Sequence, residues 1–233
     1  MIVLDQQEGS EKGWRRPEDV VDSGYNFKFS DYISEAIQLF KKDIANFVLF
    51  MLVLLAVNFG LAAIPIFGGL AGLVIGPPLN AGIFIVANKI RTGQSYSFNS
   101  FFDGFQGNRF GQLVLLGLIS GILTGIGMLF CLIPGIYLAV SWSIAIPMLL
   151  FVKSEFWDAM EASRKVVGKQ FWSFLGFMIV VYLGAVIIGL LACGVGLLFT
   201  LPIATLAIYC AFEDIMYAPA PKAEEPKVQE VPH

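Results

Sequence analysis

The sequence predicts an all-α polytopic membrane protein: six transmembrane helices arranged as three hairpins, each preceded by an amphipathic helix on the cytoplasmic face. Three observations carry this. Residues 44–88, 110–152 and 170–212 contain no Asp, Glu, Lys, Arg or His over 45, 43 and 43 positions. One span needs about 20 apolar residues. A single helix over 43 residues would be about 65 Å long, roughly twice the hydrocarbon thickness. Each run therefore reads as two helices and a tight turn that return to the starting side. The composition agrees, with 57% of residues hydrophobic, 14% charged and a mean hydropathy of +0.74, against about 25% charged in soluble domains. Finally, all 15 Lys and Arg fall outside the three runs, which by the positive-inside rule makes that side cytoplasmic. The expected location is the cytoplasmic (inner) membrane, with both termini in the cytoplasm.

Residues 1–27 hold nine charges and neither an apolar core nor a periodic pattern. They read as a disordered cytoplasmic tail and not as a cleavable signal peptide. The membrane domain is expected over residues 28–217. Its first amphipathic segment places Ile33, Ile37, Phe40 and Ile44 on one face and Asp31, Glu35, Lys41 and Lys42 off it, with Ser30 as candidate N-cap. Span 1 (44–64) and span 2 (70–88) follow, joined by a Gly- and Pro-bearing turn. The second segment carries Phe98, Phe101, Phe102 and Phe105 at i, i+3, i+4 and i+7, ahead of span 3 (112–131) and span 4 (135–152). The third carries Phe156, Met160, Val167 and Phe171, with Trp157 beside them and Trp172 opening span 5 (172–192), ahead of span 6 (196–212). All three segments are expected to lie in the interface with their apolar faces toward lipid. The unit thus occurs three times at a spacing of about 60–66 residues, and its even-numbered spans share an interruption: Pro77-Pro78, Pro147 and Pro202. Residues 218–233, rich in Pro, Ala, Glu and Lys, read as a second disordered cytoplasmic tail. The lone histidine, His233, is its last residue and no ligand.

Function is written less plainly. Pro77-Pro78 removes two backbone donors inside span 2. A break there would aim a half-helix N-terminus into the membrane, as in transporters, with Asn80 lining a cavity. The plainer alternative is a kink whose freed groups neighbours satisfy. Gly117, Gly121 and Gly125 form a small-residue face on span 3, suited to packing between spans or to a homodimer. No Asp, Glu, Lys, Arg or His lies within a span, which argues against proton-coupled transport. Glu155, Asp158 and Glu161 read as a solvated rim beside Arg164 and Lys165. The three cysteines show no metal spacing. Cys131 and Cys193 fall at the uncharged turns, where a disulfide or two free thiols both fit, and Cys210 reads as packing. No phosphate loop, nucleophile elbow, zinc motif or haem ligand is present. The chain is expected to be no enzyme, to take no cofactor or metal, and to bind no nucleic acid.

Pro134-Gly135-Ile136-Tyr137-Leu138, Pro147, Glu155, Ala159, Ser163 and Phe171-Trp172 together resemble a group of bacterial multipass proteins. Pro78-x-x-x-Gly82, Arg91-x-Gly93 and Phe102-x-x-Phe105 are similar to the same group. It includes YciC-like proteins and the membrane domain attached to some glycerophosphoryl diester phosphodiesterases. The resemblance implies a six-span helical domain in the cytoplasmic membrane and imports neither the phosphodiesterase activity nor any catalytic residue. Two functional expectations result. The first is a non-enzymatic scaffold acting through membrane lipids, a membrane partner or a homo-oligomer, with Phe98, Phe101, Phe102, Phe105, Phe156, Trp157, Phe171 and Trp172 as its interfacial contacts. The second is a small transporter or channel component built on Pro77, Pro78 and Asn80.

Overall fold

The computed structural model describes residues 13–153 and 155–217. Residues 1–12 and 218–233, and with them the first twelve residues of the first expected tail and the whole of the second, lie outside the described residues. Six helices are long and apolar enough to cross a membrane: Ile44–Ala62, Gly68–Thr92, Arg109–Phe130, Leu132–Phe151, Phe171–Leu191 and Leu197–Met216. The protein is an all-α polytopic protein of three hairpins whose turns carry no charge.

In chain order, α1 (Pro17–Ser23) and α2 (Phe29–Lys41) precede span 1, which is α3 (Ile44–Ala62), and span 2, which is α4 (Pro65–Thr92). A 3-10 segment, Phe98–Phe105, precedes span 3, α5 (Arg109–Phe130). Span 4 is divided into α6 (Leu132–Ser141) and α7 (Ala145–Phe151). After α8 (Phe156–Lys169), span 5 runs through α9 (Phe171–Met178), a π turn (Ile179–Leu183) and α10 (Gly184–Leu191), and α11 (Leu197–Met216) is span 6. Local chemistry sets several ends. Asp43 caps α3 by accepting from the Asn46 N–H at 3.3 Å, and Gly93 closes α4 in the left-handed conformation at φ 69°.

The three repeats close on themselves. The even spans α4, α7 and α11 touch one another pairwise, and 44%, 44% and 56% of spans 2, 4 and 6 is buried, against 17%, 17% and 28% of spans 1, 3 and 5. Each even span also receives the amphipathic segment of the following repeat: the 3-10 segment lies on α4, α8 on α7, and α2 on α11. The odd spans follow the same rule, with α5 beside α4, α9 beside α6 and α3 beside α11. The third repeat thus contacts the first as the first contacts the second, a pseudo-threefold ring around the even spans.

Packing is confined to the charged end. From 52 to 77, from 118 to 139 and from 186 to 201 the buried residues, among those whose burial is described, are three glycines: Gly68, Gly135 and Gly189. A Cβ at each would overlap the facing helix of the same hairpin, at Leu61, Met128 and Leu197. Elsewhere the uncharged halves of the hairpins present Leu, Ile, Val and Phe outward, and Phe59 and Phe130 are 83% and 85% exposed.

Two expectations need correction. The segment 13–27 is ordered, not a disordered tail. Trp14 stacks on Phe151 and Phe212 with ring centroids 5.6 and 5.3 Å away, the Arg15 N–H donates to the Met216 carbonyl at 2.8 Å, and the Tyr25 hydroxyl donates to the Val166 carbonyl at 2.8 Å. Two aromatic anchors and one backbone bond hold a strap that has no amphipathic period of its own. The amphipathic segments, in turn, bury apolar residues in protein. In α2 these are Tyr32, Ala36, Leu39 and Phe40. In α8 they are Ala159, Met160, Ala162, Val166 and Val167, with Ser163 buried beside them.

Candidate functional site

The double proline does not break its span. Helix α4 continues through Pro77 and Pro78. The interruption falls instead in span 4, at residues 142–144, one turn before Pro147. A proline ring clashes with the carbonyl four residues earlier, so a helix restarts more readily with proline in its first turn than it continues across one. Pro147 is the third residue of α7. At α4 the neighbouring span packs closely against the first proline. Gly117 lets α5 approach so closely that a Cβ there would overlap the Pro77 ring and stand 2.6 Å from the Leu73 carbonyl oxygen, the acceptor that Pro77 cannot serve. The Asn80 side-chain NH2 donates to the Gly76 carbonyl of its own helix at 3.0 Å. Near the true break, the buried hydroxyls of Ser141 and Ser143 have no hydrogen-bond partner among the described residues, and the Ser163 hydroxyl donates to the Ser141 carbonyl at 2.7 Å.

The glycine face of span 3 is divided. Gly117 and Gly121 pack inside the chain, the latter against Leu73. Gly125 is exposed with open space around it and takes no part in that packing. The interfacial aromatic residues divide too. Phe101 is fully buried, stacked on Phe50 at 4.6 Å and edge-on to Phe47 at 5.4 Å, so it is a core residue and not a lipid contact. Phe98 and Phe102 are half-buried around it. Phe105 is partly exposed and stacks on Phe110 at 5.8 Å. Phe156 and Phe171 are half-buried, whereas Trp157 and Trp172 are 58% and 79% exposed.

The charged end holds clusters that sequence reasoning missed. Arg91, near the end of α4, pairs with Glu35 of α2 and, at 3.0 Å, with Glu213 of α11. Lys28 donates to Asp214 at 2.8 Å, and the Tyr32 hydroxyl donates to its other oxygen at 2.8 Å. Lys89 reaches Asp103 at 2.8 Å, and the Tyr96 hydroxyl donates to Asp43 at 2.8 Å. Asp214 raises the Lys28 ammonium above its usual value. Burial, reinforced by the Asp43 carboxylate, pushes the Tyr96 phenol up to about 12. Tyr25 and Tyr32 are raised as well, chiefly by burial. Glu213 and Asp214 read in sequence as a span boundary, and only their partners in α2 and α4, far away along the chain, reveal them as ties.

Two kinds of concavity remain. One is an apolar groove of about 320 Å³ between α2, span 5 and α11, beside the π turn, lined by residues including Ile33, Ile37, Val181, Ala185 and Ala204. Its one polar side chain, Thr200, has its proton engaged, donating to the Ala185 carbonyl at 2.8 Å. The others are polar cavities at the charged end between spans 2, 3 and 4. Among the described residues, no group of three or more His, Cys, Asp and Glu could hold a metal ion. No family model, curated protein or solved structure matches the chain.

Proposed function

We propose that the protein is a non-catalytic scaffold of the bacterial cytoplasmic membrane, with both termini in the cytoplasm, that works by holding lipid against and between its three hairpins. The observation that carries this reading is the division of the molecule into a packed charged half and an uncharged half in which, among the residues whose burial is described, glycines alone are buried. Exposed Leu, Ile and Phe over such lengths are stable only against hydrocarbon or another apolar surface. The apolar lining of the groove beside the π turn suits an acyl chain. The placement of all 15 Lys and Arg outside the spans supports the orientation. The resemblance to YciC-like membrane proteins is compatible with the same reading. The uninterrupted α4 favours this reading over a transporter built on a helix broken at Pro77-Pro78.

Native mass spectrometry of the protein released from its own membranes tests the proposal. The expected result is a reproducible set of bound phospholipids whose removal lowers the melting temperature. A stoichiometric polypeptide, or a tight homo-oligomer free of lipid, would assign the open faces to protein and overturn the lipid part of the reading.

A further inference from the structure

Two polar cavities meet at the charged end, sharing Arg109, Leu150 and Phe151. The one roofed by Trp14, of about 410 Å³, contains Lys89 and Asp103, which neutralise each other at 2.8 Å. The other, of about 370 Å³, lies between the start of α5 and the end of α7 and is lined by Asn108, Arg109, Gln112 and Lys153 over the last turn of α7. This second cavity holds no carboxylate, and neither Arg109 nor Lys153 forms an ion pair among the described residues. Lys153 also borders a cleft with Glu18, Asp158 and Glu161, but Glu161 is held by Arg164 and Lys165. The Gln112 carbonyl oxygen is occupied by the Phe156 N–H at 2.9 Å, which leaves its NH2 for an acceptor. A guanidinium, an ammonium and an amide NH2, all donors, therefore converge on one space.

We propose that this cavity binds a phosphate group, with Arg109 as the forked donor and Lys153 as the second cation. Guanidinium matches the paired oxygens of a phosphate, and a charge-assisted contact of this kind is stronger than a neutral one. The depth is that of phospholipid headgroups, because Arg109 opens span 3, Phe151 closes span 4 and the exposed Trp157 stands nearby. The site deepens the lipid reading above and rests on it for that depth. The phosphate can belong to a lipid headgroup or to a soluble phosphate ester.

The test uses the full chain, delipidated in detergent, with dioctanoyl phosphatidylglycerol, glycerol phosphate and neutral dioctanoylglycerol as probes. Binding is read by native mass spectrometry and thermal shift. Wild type should bind phosphatidylglycerol, R109Q/K153Q should bind it roughly tenfold or more weakly, and dioctanoylglycerol should bind neither specifically. R109Q alone serves if the double variant does not fold, and K42Q, on the exposed end of α2, should keep wild-type affinity. Binding of glycerol phosphate that R109Q abolishes assigns a soluble ester as the source, and its absence beside lipid binding assigns a headgroup. Equal affinity of wild type and R109Q for both phosphate probes, or an equal loss in K42Q, overturns the site. If wild type retains its own lipid in either of those cases, the scaffold reading stands without the site. If it carries no lipid yet binds glycerol phosphate through Arg109, the site stands and the scaffold reading falls.

Discussion

At Gly82 and Gly104, the 3-10 segment and α4 touch backbone to backbone. A Cβ on Gly82 would overlap the Phe101 carbonyl, and one on Gly104 the Pro78 carbonyl. Overpacking of this kind costs about 1–3 kcal/mol. Gly82→Ala and Gly104→Ala should therefore melt lower in detergent, while Gly72→Ala, with open space around it, should not. The Arg91 side chain is 30% exposed and that of Glu213 13%. Removing one partner of a fully buried pair costs about 3–5 kcal/mol. The partial exposure of Arg91 brings the expected loss for Arg91→Ala to about 2 kcal/mol, measured by the same melts. Tyr96 makes a pH prediction. Its phenol is raised to about 12 in the folded protein, against about 10 when unfolded. The stability it contributes is fully present below pH 10 and is lost as pH rises through 12. Melting temperature should fall across that window, and less steeply in Tyr96→Phe. An absorbance titration giving all seven tyrosines ordinary values would exclude the Tyr96–Asp43 tie. The contacts of these residues could not be read in sequence, because each joins positions 19 or more apart and the partner alone gives it meaning.

Spans and amphipathic segments were legible for opposite reasons. A charge-free run of 43 residues admits one physical solution, so all six spans were predicted to within four residues at each end, about the uncertainty of helix-boundary readings. An apolar stripe such as Phe98, Phe101, Phe102 and Phe105 states that a face is buried and not what buries it. Lipid and protein leave the same pattern. Phe101 belongs to the core, so Phe101→Ala should cost about 3–5 kcal/mol. Trp157→Ala and Trp172→Ala should leave the melt almost unchanged and lower only retention of the protein by vesicles. The reverse ranking would return the 3-10 segment to the interface. The proline pair left two readings open for a related reason. Its surroundings include Gly117, some 40 residues later along the chain, and the interruption falls instead at residues 142–144, ahead of Pro147. Trp14, Tyr25 and Phe27 were the available signal for the strap, three large aromatic residues in an otherwise polar stretch.

The whole molecule combines a fused core at one end with three separate hairpins at the other, and its cysteines sample both. Cys131 and Cys193 are free and exposed at the uncharged turns, and Cys210 is buried. A membrane-impermeant maleimide added outside intact cells should label the first two and leave Cys210 unmodified until the protein is denatured. Labelling of Cys131 and Cys193 from the cytoplasm alone would invert the orientation proposed above. The threefold recurrence was visible in sequence as a spacing. Its closure into a ring was not, because that depends on α2 docking on α11, with Lys28 and Tyr32 meeting Asp214. That closure has a consequence during synthesis. Helix α2 is made well before α11, the helix that covers it, so its apolar side stays unmatched until the sixth span has been synthesised. A chain that stalls between the fifth and sixth spans can assemble two of the three joints but not the third. The seam between α2 and α11 thus records whether translation has passed the sixth span.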